Sequence, residues 1–219
     1  MRRDRQFVLR ELERTGVIGV IRADSPDQLV DVCAALRDGG VIGAEITMTT
    51  PNALDAIARA NDKLGKDCII GVGSVLDPET ARAAILAGAQ FVFAPTLNVD
   101  VIAMAHRYDC VAVPGALTPT EILTAWSAGA DMVKIFPANH FGPQYIKDLK
   151  GPMPQIKVTP TGGVTLETAA AWLKAGAAAL GVGSSLISKE LIKARDWKGL
   201  TSLARQYINI VAETRAAMG

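Results

Sequence analysis

Eight short runs of apolar, largely β-branched residues recur along the chain, and the stretches between them carry apolar positions at helical spacing. The runs are VIGVIR (17–22), IGAEITM (42–48), CIIGVG (68–73), QFVFAP (90–95), CVAVPG (110–115), MVKIFP (132–137), IKVTPT (156–161) and AALGVG (178–183). Most are apolar on both faces, the pattern of parallel strands covered by helices. The intervening segments SPDQLVDVCAALRDGG and DPETARAAILAGA open on Ser25–Pro26 and Asp77–Pro78, an N-cap acceptor followed by a first-turn proline. The helical stretches also end alike. LAGAQFV (86–92), SAGADMV (127–133) and KAGAAAL (174–180) place an Ala-Gly-Ala step before a strand, which predicts left-handed C-terminal caps at Gly88, Gly129 and Gly176.

A repeat of roughly 25–45 residues is the length of a βα unit with its loops. Solenoids share such periodicity, but single strands alternate strictly with helices here. Eight such units predict a closed (β/α)8 TIM barrel, with a doubly wound open sheet as the alternative. The most loop-like stretch, KGPMPQ (150–155), is too short to divide domains. The reading is one domain over residues 1–219, with an N-terminal helix over about 4–14 and a long C-terminal helix over about 196–216 packed outside the barrel. Leu203, Tyr207, Ile210 and Val211 give the last helix its apolar stripe.

Composition narrows the function classes. Hydrophobic residues make up 49% and aromatics 5%, so the core is built from aliphatic side chains. With 23 basic and 22 acidic residues and no long run of like charge, nothing suggests a nucleic-acid surface or a polybasic membrane patch. The expected partner is a small molecule. Cys33, Cys68 and Cys110 form no C-x-x-C pair, and with two histidines no metal-ligand spacing can be assembled. Buried thiols in a reducing cytoplasm are expected. The charged start of the chain lacks the apolar core of a signal peptide.

In a barrel of this class the reactive groups gather at the C-terminal ends of the strands. Strand parity puts Met132, Lys134 and Phe136 on one face and Val133 and Ile135 on the other. The Val/Ile face suits the outer helices, so Lys134 is expected to point inward. An amine held away from water loses its proton more readily and becomes a nucleophile toward a carbonyl, so a Schiff-base lysine is weighed against a buried ion pair. Lys157, early in its strand, is expected to be solvated or paired. By the same parity Gly43, Glu45 and Thr47 face one way, and an inward Glu45 is a candidate general acid/base rather than a plain salt-bridge partner. After the last two strands lie PTGGVT (160–165) and GVGSSLIS (181–188), where Gly162, Gly163 and Gly183 allow backbone N–H groups to face an anion ahead of a helix N-terminus. Their place after strands seven and eight predicts a phosphorylated substrate. His140 is more simply a solvated loop residue, and Trp126 and Trp172 are packing residues.

The stretches GVIGVIRADS, ALRDGGVIGAEIT, IIGVGSVLDPETARAAILAGAQFVFAPTLN, VPGALTPTEILTAWSAGADMVKIFPA and VTPTGGVTLETAAAWLKAGAAALGVGSSL resemble the 2-keto-3-deoxy-6-phosphogluconate (KDPG) aldolase / 4-hydroxy-2-oxoglutarate (KHG) aldolase family. The resemblance implies a homotrimeric class I aldolase with neither metal nor cofactor. Such an enzyme cleaves a 2-keto-3-deoxy sugar acid to pyruvate and an aldehyde, glyceraldehyde 3-phosphate or glyoxylate. It also implies that Lys134 forms the Schiff base and Glu45 shuttles protons. Ser74 and Pro95 would bound the pyruvyl pocket, and Thr161, Gly162, Gly163 and Ser184 would meet the substrate and its phosphate, beside the Gly183 already picked from its turn. Where the family typically has Glu-Val-Thr-Leu-Arg-Thr, this chain has EITMTT, with Thr49 in place of the carboxylate-binding arginine. Arg22, at the end of the first strand, is the candidate replacement cation. Two rivals remain open on the sequence: a phosphate-binding barrel acting as isomerase or decarboxylase, and a degenerate barrel that only binds a metabolite.

Overall fold

The structure is a computed structural model that describes residues 3–23 and 28–219. Every expected run holds a parallel strand: β1 (Val17–Ile21), β2 (Gly43–Thr47), β3 (Ile69–Gly73), β4 (Phe91–Phe93), β5 (Val111–Val113), β6 (Gly115–Ala116), β7 (Val133–Ile135), β8 (Val158–Pro160) and β9 (Leu180–Val182). The fifth run yields two strands rather than one, because Pro114 has no N–H to donate to a ladder and divides it. Six strands pair in the order β5-β4-β3-β2-β1-β9 and three in the order β6-β7-β8. An isolated bridge joins Thr161 to Gly181 beside β8 and β9. At the other edge the Pro114 carbonyl accepts from the Lys134 N–H at 2.8 Å. The architecture is a curled parallel α/β sheet with helices packed on its outer face.

The helices of the chain are α1 (Arg5–Thr15), which does not share that outer face, and α2 (Leu29–Asp38), α3 (Ala53–Leu64), α4 (Pro78–Leu86), α5 (Val99–Arg107), α6 (Pro119–Ser127), α7 (Gly142–Lys150), α8 (Leu166–Lys174), α9 (Lys189–Ala194) and α10 (Trp197–Met218). Asp77 caps α4 through Thr80 N–H at 2.6 Å, with Pro78 in its first turn. The expected Ser25–Pro26 cap lies outside the described residues. Gly88, Gly129 and Gly176 adopt φ of 112°, 94° and 103°. The alanine after each returns its N–H to the helix: Ala89 to Ala84 O at 3.0 Å, Ala130 to Ala125 O at 3.1 Å and Ala177 to Trp172 O at 3.2 Å. The repeated Ala-Gly-Ala step is therefore a repeated Schellman cap that turns each helix into the next strand. On α10, Tyr207 and Val211 are buried and Leu203 and Ile210 half-buried, as its stripe predicts. Among the described residues no helix is long and apolar enough to cross a membrane.

The N-terminal helix departs from expectation. It does not lie outside the sheet: Val8, Leu9 and Leu12 join Ile18, Ile69, Phe91, Phe93, Val111, Val113, Met132 and Ala179 in one buried cluster on the concave face. The strands are short, three to five residues for all but β6, so their inner side chains cannot close the N-terminal mouth alone. Leu12 fills the space left by Gly43, where an added Cβ would come within 2.6 Å of Leu12 Cδ2. Leu12→Ala is therefore expected to destabilise the fold by about 2–5 kcal/mol in urea unfolding. A loss well under about 1 kcal/mol would make α1 a peripheral helix instead.

Candidate active site

Parity sorts the strand residues as the sequence predicts. Ala44, Ile46, Val133 and Ile135 pack into the outer cluster, and Met132 into the inner one. Along the concave face the character changes from bottom to top. The lower positions are Ile18, Ile69, Phe91, Val111 and Met132. The upper ones are Glu45, Thr47, Gly71, Gly73, Gly115, Lys134, Thr159, Thr161 and Gly181. Large apolar side chains thus give way, around Phe93 and Val113, to polar groups and to glycines whose missing side chains make space for Phe91, Glu45, Pro95 and Thr161. Gly73 is tightly fitted: a Cβ there would lie 1.8 Å from Glu45 Oε1, so the carboxylate occupies the volume that any other residue would claim.

Lys134 and Glu45, far apart in sequence, meet here. Lys134 Nζ lies 3.9 Å from Glu45 Oε1, and the residues are 5% and 0% exposed. The ammonium stands over the rings of Phe93 and Phe136, 5.5 Å and 5.0 Å from their centroids, a favourable placement for a cation with little water. Burial pushes the Glu45 carboxyl above the ordinary carboxylate range, while the charges of Lys134 and Arg22 oppose the shift. Neither Glu45 oxygen has a hydrogen-bond partner among the described residues, and the same holds for the hydroxyls of Thr159 and Thr161. Buried polar atoms in folded proteins are nearly always paired. Four such oxygens lie together on the upper inner face beside Lys134. Lys157, by contrast, is paired with Glu13 at 2.7 Å, as expected for its early strand position.

The remaining expected residues sort less evenly. Ser74 directly follows β3, half-buried in a left-handed conformation, φ 59°. Pro95 follows β4, and its backbone is approached so closely by Gly115 that a Cβ there would come within 2.4 Å. Gly162 and Gly163 have φ of 98° and 73°, so both need glycine for conformation, and they also admit Asn139 of the turn after β7. Two expectations need correction. Gly183 has no positive φ, and a Cβ added there would meet nothing within 4 Å, so glycine is not required by the backbone. The turn bearing the exposed Ser184 does not run straight into a helix: Leu186 and Ile187 donate to Gly183 O in one isolated turn, and α9 starts only at Lys189. His140 is exposed, and Trp172 is buried in the outer cluster.

Thr49 is exposed and shares a hydrogen bond of 2.9 Å with Thr47. Arg22 is exposed too; the register Ile21↔Ile46 carries it alongside Thr47, and its charge is felt at Glu45. Sequence reasoning missed Gly73, Phe93 and Thr159. The parity that selected Lys134 and Glu45 could have selected all three.

Residues 8–203 match the family model for KDPG and KHG aldolase. A 2-dehydro-3-deoxy-6-phosphogalactonate aldolase of Escherichia coli K12 is 40% identical over 171 residues, covering 78% of this chain and 83% of the relative. The solved native KDPGal structure superposes with a TM-score of 0.84 at 34% identity, over 91% of this chain and 96% of that one. A KDPG aldolase of Legionella pneumophila, with pyruvate captured at low pH as a covalent carbinolamine intermediate, gives 0.82 at 26% identity, over 90% of this chain and 96% of its own. With a buried lysine and glutamate converging on the open end of a curled parallel sheet, the chain belongs to the KDPG and KHG aldolase family.

Proposed function

We propose that this chain is a class I aldolase that cleaves a 6-phosphorylated 2-keto-3-deoxy sugar acid to pyruvate and glyceraldehyde 3-phosphate, with Lys134 as nucleophile and Glu45 as proton carrier. The observation that carries the reading is the buried Lys134–Glu45 pair at 3.9 Å. Lys134 Nζ attacks the C2 ketone. Glu45, protonated more readily than an exposed carboxyl, gives a proton to the C2 oxygen as it leaves as water. Glu45, now a carboxylate, takes the C4 hydroxyl proton, and the iminium draws the electron pair of the C3–C4 bond to leave an enamine as the aldehyde departs. Reprotonation at C3 and hydrolysis return pyruvate and the free amine.

Carboxylate recognition passes from the arginine that Thr49 replaces to Arg22, which the register brings beside Thr47. A charged hydrogen bond to a carboxylate is a strong contact. Arg22→Ala is therefore expected to raise KM for the keto acid by about 10-fold or more, while Arg107→Ala, exposed on α5, leaves it unchanged. Equal effects of the two would leave the carboxylate without this partner. The phosphate belongs with Thr161, Gly162, Gly163, Gly183 and Ser184, and Ser74 and Pro95 bound the pyruvyl end.

The same reading takes the two sheets as one closed (β/α)8 barrel in a single domain over residues 1–219. The Thr161–Gly181 bridge and the Pro114 hydrogen bond support that closure from the two edges. It includes a cytoplasmic homotrimer, for which exposed Leu76, Val99, Leu123 and Phe141 supply apolar surface. The deciding experiment is a screen of 2-keto-3-deoxy acids, of both C4 configurations and with or without a 6-phosphate, for pyruvate release. Release from none of them would overturn the proposal.

A further inference from the structure

Thr159 lies in β8, paired in register with Lys134 of β7, and parity turns both side chains onto the concave face. Val158, before it in the chain, packs into the outer cluster. On its other side, the Thr161–Gly181 bridge sets Ala179 beside it, a side chain with no polar atom to offer the hydroxyl. Thr159 is fully buried, and its Oγ1 has no partner among the described residues. Leaving a buried hydroxyl unpaired is unfavourable, and valine would fill the same shape without that penalty. Threonine here costs the fold a hydroxyl that no side chain or backbone group of the described residues pairs, and a polar atom brought in from outside the chain would recover it.

We infer that Thr159 is a further residue of the reaction site, its hydroxyl hydrogen-bonding the C2 oxygen of the carbinolamine on Lys134 and the water that this oxygen becomes. The inference rests on the aldolase reading above. In the step concerned, the bond from Lys134 Nζ to C2 is retained and the C2–O bond breaks. The oxygen takes a proton from the Glu45 carboxyl and leaves as water, and the nitrogen lone pair completes the iminium. Thr159 transfers no proton. It holds the departing oxygen between itself and Glu45, fixing the direction in which water leaves and, in the reverse step, returns.

The test compares Thr159→Val with Thr159→Ser by steady-state kinetics, by the rate of borohydride trapping of pyruvate, and by thermal unfolding. Thr159→Val is expected to lower both kcat and the trapping rate by about 10²- to 10³-fold, the range for losing one oriented donor. Its Tm should equal or exceed that of the wild type. Thr159→Ser should recover to within about threefold. Turnover by Thr159→Val within about twofold of wild type would overturn the inference, as would an equal loss in both variants with lowered Tm, which marks a packing role. If the wild-type chain itself traps no pyruvate, the aldolase reading fails first and Thr159 loses its role with it.

Discussion

Lys134→Ala is expected to lower kcat by at least ~10⁴-fold and to abolish the adduct that pyruvate and borohydride leave on the wild-type chain. The size follows from losing the covalent route entirely, since no other buried amine faces Glu45 among the described residues. The fold should survive the change. Removing one partner of a buried pair strands a charge, but the Glu45 carboxyl already holds its proton unusually well and can be neutral when Lys134 is absent. Lys157→Ala supplies the control, because that side chain is 40% exposed and paired with Glu13. Its adduct should form normally and map by peptide mass analysis to Lys134. An adduct that persists in Lys134→Ala, or maps elsewhere, removes the proposed nucleophile. Turnover without any adduct would instead favour the isomerase or decarboxylase rival, in which the lysine acts only through its charge.

Glu45→Gln should lower kcat by about 10²- to 10⁴-fold, the usual contribution of a positioned acid/base. Trapped adduct should still accumulate on Lys134, more slowly, because the nucleophile remains. The same substitution is expected to stabilise the chain as pH rises. Burial is the main cause of the raised Glu45 pKa. A carboxyl that binds its proton more tightly folded than unfolded contributes its full stability below the unfolded pKa and loses it as pH climbs through the folded one. Glutamine has no such loss. Melting curves between about pH 5 and about pH 8 should therefore show wild type and Glu45→Gln converging in acid and separating toward alkali, with the variant higher. A gap that shrinks with rising pH would mean that the attraction of Lys134 outweighs desolvation and that Glu45 stays ionised.

The two experiments draw on different layers of the molecule. That each run is a strand and each interval a helix could be read from local chemistry: apolar patterning, proline after an N-cap acceptor at Asp77, glycine in the Ala-Gly-Ala caps. The inward aim of Lys134 and Glu45 was equally readable, because parity in a strand depends on sequence neighbours alone. Local rules stop where partners come from distant segments. Nothing near residue 45 specifies that Gly73 must be bare for its carboxylate, or that Lys134 will stand 3.9 Å away. Both depend on how β2 pairs with β3 and how the sheet curls, which the whole chain sets. The same limit explains the two misplacements. Whether α1 lies beside the sheet or under it depends on how short the strands are and on the gap at Gly43, and Gly183 looks conformationally required only until its φ is known. By itself the sequence determined the βα rhythm, the caps and the inward aim of Lys134 and Glu45. Only the tertiary structure decided their distance, their dryness and the unpaired hydroxyl of Thr159 beside them, because those are properties of strands brought together from across the chain.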